Sequence, residues 1–217
     1  MTCRLLSISC FLFFAIFQAA DADAQLFKGV TGGWNLSNLD FTDNDFSYPD
    51  YKSKNGFCVG LFVGSHISEV FGLRGEILYS RKGSKYNFTA TDENGEPLGE
   101  GEYFVDVDYL EIPLLANFTI PTGGAVKPAL FLGPAIAFEM SAKLNATYPS
   151  GVVNQNQSGW DLENTTSPDF SLIFGGGVEI ASGPHLVLVQ VRYVMGLKEV
   201  YRTASSRVIS VMAGFGI

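Results

Sequence analysis

The chain has 217 residues, 47% of them apolar and only 17% charged, with 24 Gly, 18 Phe, 9 Tyr and a formal charge of −8. An acidic balance without a basic stripe argues against nucleic acid as a partner. A charge-poor mix rich in glycine and aromatics suits a sheet with many turns and a greasy surface, and suits a helical protein poorly.

The first 24 residues stand apart. Arg4 gives a small positive start, Leu5 to Phe17 an apolar core too short to span a bilayer as a helix, and Ala22-Asp23-Ala24 a small-x-small cleavage site. This predicts a secretory signal peptide over 1–24 and one mature domain over 25–217. A lipoprotein site at Cys10 is the rival, but the preceding Ser-Ile-Ser lacks the expected Leu. With the leader go Cys3 and Cys10, so Cys58 is left alone and a disulfide-held fold is excluded.

Beyond the leader the chain is a series of segments alternating at period 2, the signature of strands with unlike faces. Leu26 to Ser37 sets Val30, Trp34 and Leu36 against Thr31, Gly33 and Asn35, and leads into a polar–aromatic loop (Asn38 to Lys54). Asn55 to Ile67 opposes Phe57, Val59, Leu61, Val63 and Ile67 to Cys58, Gly60, Gly64 and His66. After a short connection, Phe71 to Ser84 opposes Leu73, Ile77 and Tyr79 to Arg74, Glu76, Ser80 and Lys82. Asn94-Gly95-Glu96-Pro97 marks a loop.

The fourth segment, entered near Glu102, sets Leu110, Ile112, Leu114, Ala116 and Phe118 against Tyr109, Glu111, Leu115, Asn117 and Thr119. Val126 to Lys143 opposes Leu130, Leu132, Ile136, Phe138 and Met140 to Ala129, Gly133, Ala135, Ala137 and Glu139. Asn145 to Pro168 reads as the longest loop. Asp169 to Ser182 carries Phe170, Leu172, Phe174, Val178 and Ile180 against Ser171, Gly175, Gly177 and Glu179. His185 to Lys198 sets Val187, Val189, Val191, Tyr193 and Leu197 against Gln190, Arg192 and Gly196, and Arg207 to Ile217 closes with Ile209, Val211, Ala213, Phe215 and Ile217 on one side.

Eight strands joined by alternately long and short connections describe an all-β, antiparallel up-and-down barrel of the bacterial outer membrane, with long extracellular loops and short periplasmic turns. The apolar faces run for about ten residues, enough for a tilted strand to cross a bilayer. The opposite faces hold Arg74, Glu76, Glu111, Glu139, Glu179, Gln190 and Arg192 near mid-strand, among glycines that suit a crowded interior. These seven are the expected lumen charge network, paired because charge in a low-dielectric interior persists only when paired. Arg192 is expected to bridge two carboxylates, Glu179 among them. The alternative is a secreted, lipocalin-like soluble barrel with an apolar ligand inside. Pro113 and Pro134 fall inside strands, where a proline lacks the ladder donor and a bulge is one way to absorb it. Asp106 and Asp108 share the parity of Leu110, so the strand is expected to have left the membrane there.

Ordered motifs then point to a family. Lys28 to Leu39, Glu76-Ile77-Leu78-Tyr79-Ser80-Arg81-Lys82-Gly83, Tyr109 to Leu115, Lys127-Pro128 through Leu132-Gly133-Pro134, and Arg192-Tyr193 before Gly196-Leu197 resemble the PorT-like outer-membrane barrel family of Bacteroidota. The resemblance covers essentially the whole mature chain. It implies an eight-stranded barrel in outer-membrane lipid, inserted by the barrel assembly machinery, and makes Pro113 and Pro134 expected features. It implies little about activity, although a named member is linked to protein secretion. Ile217 departs from the usual terminal aromatic, with Phe215 on the same face.

Chemistry is thinly supported. His66 and His185 fall at periplasmic strand ends, and no Ser-His-Asp set can be placed, so no catalytic residue and no enzyme activity are expected. No cofactor or metal site is expected either, since Asp43, Asp45 and Asp50 lack calcium-loop spacing. Gly175-Gly176-Gly177 lacks the Lys-Ser/Thr of a phosphate loop and reads as strand glycines. The sequons at Asn87, Asn117, Asn145, Asn156 and Asn164 carry no inference of glycosylation. The expected role is structural or surface-interacting, with an unidentified extracellular or periplasmic protein as partner. A narrow channel and an accessory barrel of a secretion system are the alternatives.

Overall fold

The computed structural model describes residues 25–41, 52–92, 94–148, 157–161, 167–201 and 204–217. The expected leader with Cys3 and Cys10, the three aspartates at 43, 45 and 50, and the sequons at Asn156 and Asn164 lie outside the described residues. The strands are β1 (Gln25–Phe41), β2 (Lys52–His66), β3 (Phe71–Thr91), β4 (Pro97–Thr119), β5 (Val126–Thr147), β6 (Gln157–Asp161), β7 (Asp169–Ser182), β8 (His185–Tyr201) and β9 (Ala204–Gly216). Their order is β4-β3-β2-β1-β9-β8-β7-β5-β6, and β4 also pairs with β5. Eight antiparallel strands therefore close a ring, while β6 hangs on the upper part of β5.

Alternation places the side chains. On β4, Leu110, Ile112, Leu114 and Phe118 are exposed, whereas Tyr109, Glu111, Leu115, Asn117 and Thr119 are buried. The same holds around the ring: Val30, Leu61, Ile77, Leu130, Phe174, Val191 and Val211 lie outside, and Arg74, Glu76, Glu179, Gln190 and Arg192 lie inside. A lipocalin-like barrel is the reverse of this, so that alternative falls. In water such an outer surface would cost roughly 25 cal/mol per Å² of apolar area, a penalty that a surrounding bilayer removes.

The expected strands are all present but several run longer. β3 continues to Thr91 and β4 begins at Pro97, with the expected turn between them; β5 reaches Thr147. The stretch expected as one loop from Asn145 to Pro168 contains β6, paired Lys143↔Asp161 to Ala146↔Gln157. Short connections at 67–70, 120–125 and 183–184 define the periplasmic end.

The prolines are accommodated without bulges. Neither ladder shifts register at Pro113 or Pro134; among the described residues the shifts lie instead at Ser53/Cys58, Ala90/Thr91, Asp108/Tyr109, Leu144/Asn145 and the top of β8–β9. Missing N–H donors interrupt pairing without displacing it. On one side of β4 the rungs stop at Gly75↔Leu114 and resume in register at Leu78↔Glu111. On the other they stop at Pro113↔Ala135 and resume at Ala116↔Leu132.

The lumen is also less polar than expected. Leu115, Phe131, Ala135, Ile173, Val194 and Val208 form one buried cluster, with Phe27, Phe62 and Leu188 in a second and Cys58, Leu78 and Met212 in a third. Glycine is what admits them. A Cβ on Gly175 would sit 2.7 Å from the Phe131 ring and 2.2 Å from the Val191 carbonyl oxygen. Gly175→Ala is therefore expected to cost about 1–3 kcal/mol by overpacking, read as a lower urea midpoint of the refolded barrel.

Candidate functional site

Four of the seven expected network residues meet at one point. Arg192 of β8 grips Glu76 of β3 across the lumen with both terminal nitrogens, Nη1 donating to Oε2 at 2.6 Å and Nη2 to Oε1 at 2.7 Å. Arg74 Nε lies 2.9 Å from Glu76 Oε1. Gln190 Oε1 accepts from Arg74 Nη2 at 3.0 Å and from Arg192 Nη2 at 2.9 Å. Both guanidinium groups lie over the Phe131 ring, 5.5 Å from its centroid. All four polar residues are buried. The planar fork of arginine matches a carboxylate in two bonds, and that geometry fixes two strands on opposite walls.

The other three residues stand elsewhere. Glu111 pairs with Lys82, a residue of the same face that the sequence-based network omitted, and Lys82 in turn lies 5.2 Å from the Tyr109 ring centroid. Glu179 sits at the periplasmic end, where His66 Nε2 is 3.2 Å from its Oε2 and Thr119 Oγ1 donates to it at 3.5 Å. The expected Arg192–Glu179 bridge is thus replaced by Arg192–Glu76. Glu139 is only half-buried near the outer mouth, its backbone N–H donating to Ser167 Oγ at 3.3 Å. The hub of the network is accordingly a carboxylate shared by two arginines, the inverse of the expected arginine shared by two carboxylates. Beside it, Asn35, Cys58, Ser80, Lys82, Glu111 and Arg192 line a small cavity with room for about one water molecule.

At the extracellular end the sheet leaves the ring. Asp106 and Asp108 do share the outward parity, and both are paired: Arg81 holds Asp108 through Nε (2.7 Å) and Nη2 (3.0 Å), while Lys54 reaches Asp106 at 2.5 Å. Above them, Tyr86 stacks on Tyr103 at 5.1 Å, and Tyr103 and Tyr148 share a hydroxyl hydrogen bond of 3.3 Å. That bond, with partial burial, pushes the Tyr103 phenol up to about 12. At the tip, Asp92 accepts the N–H groups of Glu96 (2.8 Å) and Asn94 (2.9 Å), which hold its carboxyl below the usual carboxylate range. A lowered folded pKa means support that is present at neutral pH and lost only as pH falls through that lowered value. In an NMR titration the Asn94 and Glu96 amide shifts should therefore move together, at a pH below that of an ordinary aspartate.

A closed ring with aliphatic side chains outside and paired charges inside is an integral membrane β-barrel. The chain belongs to the family described as "Outer membrane protein beta-barrel domain", whose model matches residues 21–202, and its place is the cell outer membrane. Among solved structures it is similar to Ail, the attachment invasion locus protein of Yersinia pestis, in complex with the heparin analogue sucrose octasulfate. The identity there is 16%, covering 89% of this chain and 99% of that one, with a TM-score of 0.43. Neisserial surface protein A gives 16% identity over 89% and 98%, with a TM-score of 0.48. OprG of Pseudomonas aeruginosa gives 12% over 89% and 95%, with a TM-score of 0.45. No curated protein matches.

Proposed function

We propose that this is a plugged, non-catalytic outer-membrane barrel whose work is done at its extracellular surface, as a structural or surface-interaction protein. The observation that carries the reading is the filled cross-section. Arg74, Glu76, Gln190 and Arg192 lock together across the lumen, and Leu115, Phe131, Ile173, Val194 and Val208 pack beside them. An eight-stranded bore is about wide enough for side chains alone. Among the described residues His66 is engaged with Glu179 and Phe27, and His185 is stacked on Phe215. Membership of the PorT-like group within the family rests on the ordered motifs from Lys28 to Leu197, and carries with it insertion by the barrel assembly machinery. The test is a planar bilayer recording of refolded protein. A silent bilayer is expected; a stable open conductance would overturn the plugged reading in favour of a channel.

A further inference from the structure

The outward face of the wall from β2 to β5 changes character within one step. Val59, Tyr79, Leu110 and Phe138 stand beside one another across these four strands, with the exposed Phe57 and Ile77 on the same face. One outward position higher, the face carries Arg81 opposite Asp108. On β3 the stretch from Phe71 to Tyr79, tilted as barrel strands are, spans roughly the 25 Å apolar band of an outer-membrane barrel. Arg81 therefore marks the height at which this wall leaves hydrocarbon and enters the headgroup layer.

Above that height β2 and β3 are cationic. The Arg81 guanidinium lies over the outward Phe57 ring, 5.7 Å from its centroid. Lys54 runs across Gly83, where a Cβ would sit 3.2 Å from its Cδ. Lys52 and Lys85 share one rung and both point outward, and like charges directly opposite each other weaken a ladder unless an anion lies between them. From Arg81 to Lys85 is about 13 Å along the strand, so the four cations climb through the headgroups. The carboxylates of this face all come from β4. Glu102 holds Lys85 at 2.7 Å, Asp106 holds Lys54 at 2.5 Å and Asp108 holds Arg81 at 2.7 Å. Lys52 is exposed and, among the described residues, has no carboxylate partner, so the β2 side of the patch is left positive. The described ladder of β1 against β2 stops below it, at Ser37↔Lys54.

We propose that this outward wall of β2 and β3 binds the phosphate of an anionic lipid in the outer leaflet, with Lys52, Lys54, Arg81 and Lys85 around the headgroup. The acyl chains would run down Phe57, Val59 and Ile77, which continue the patch into the apolar band. That continuity favours a lipid over a soluble anion, because one amphiphile satisfies both halves of the face. The carboxylates of β4 hold three of the cations in place, and Lys52 supplies the charge in excess. The inference goes beyond the plugged reading and is independent of it, since an open barrel could carry the same wall.

The probe is short-chain phosphatidylglycerol, titrated into the full barrel refolded in zwitterionic micelles and followed by amide NMR. Saturable shifts are expected at residues 52–54 and 81–85, and short-chain phosphatidylcholine should bind there at least about tenfold more weakly. Lys52→Gln and Arg81→Gln should each weaken phosphatidylglycerol binding by about threefold. Lys28→Gln makes the same charge change on the outward face near the periplasmic end, where Lys28 is bonded to Ile217 through its backbone, and should leave binding as it is. Equal binding of the two lipids overturns the proposal, as do shifts confined to other residues. An equal effect of Lys28→Gln and Lys52→Gln would show a response to overall charge and no site. Displacement by inorganic phosphate at the lipid's own concentration would assign the patch to a soluble anion and overturn the lipid. A stable open conductance in the planar bilayer removes the plugged reading and leaves this inference standing.

Discussion

Glu76→Met is expected to destabilise the barrel by about 5 kcal/mol, at the top of the range for breaking a buried ion pair, because it strands two guanidinium groups at once. Arg74 and Arg192 would be left with the Gln190 amide oxygen as their shared acceptor beside the Phe131 face. Arg192→Met should cost less, about 3 kcal/mol, since Glu76 would keep Arg74 Nε at 2.9 Å. On the Glu76→Met background, Arg192→Met should become close to neutral or favourable, because it then removes a stranded charge. The measurement is a double-mutant cycle by urea unfolding of protein refolded in detergent micelles. Strictly additive losses, or a larger loss for Arg192→Met than for Glu76→Met, would show that Glu76 is not the shared acceptor. The cycle between Arg192 and Glu179 should be additive.

Val189→Arg is expected to lose about 2–4 kcal/mol in bilayers, the penalty for a cation on the lipid face near the midplane. Val189 is 44% exposed on the outer face of β8, paired with Val178 and Ala213. The residue after it makes the internal comparison. Gln190→Ser reads from sequence as a mild polar exchange, but the structure gives Gln190 two guanidinium donors that a serine is too short to reach. A loss of about 1–3 kcal/mol is expected there as well, from buried donors left unmade. Lipid thickness separates the two causes. Thinner bilayers should relieve Val189→Arg, because the long side chain can reach the interface, and should leave Gln190→Ser unchanged. Equal sensitivity of both variants to thickness would contradict the assignment of inside and outside.

Alternation made the ring legible in the sequence, since a period of 2 sorts each residue of a strand to one wall or the other. It failed where both walls are apolar. Phe131 sits between Leu130 and Leu132, and Phe62 between Leu61 and Val63, so the lumen-facing aromatic is indistinguishable from its lipid-facing neighbours. Pairing was illegible for a different reason. Glu76 and Arg192 meet across the lumen from strands 116 residues apart, at a height set by the stagger of every strand between them. Glu179 and Arg192 lie on adjacent strands and look like partners, yet Glu179 is opposite Leu188 and Arg192 opposite Gly175. Four rungs separate them, about 13 Å along the strand. The five-residue β6 lies in a stretch rich in Asn, Ser and Gly, where composition reads as loop and only the partner strand β5 makes it a ladder.

The seam between β1 and β9 has a consequence for how the ring comes into being. Every other ladder joins strands close together along the chain, so each can zip as a local hairpin with little loop-closure entropy to overcome. The seam alone joins Gly29 to Gly216, and it is finished by reciprocal bonds between Lys28 and Ile217 at 3.0 and 2.9 Å. A nascent sheet of the first eight strands would therefore be a curled ribbon with two raw borders, β1 at one side and β8 at the other. The thirteen rungs of β9 against β1 turn that ribbon into a cylinder, making closure a single late event on which the survival of the lumen ion pairs depends.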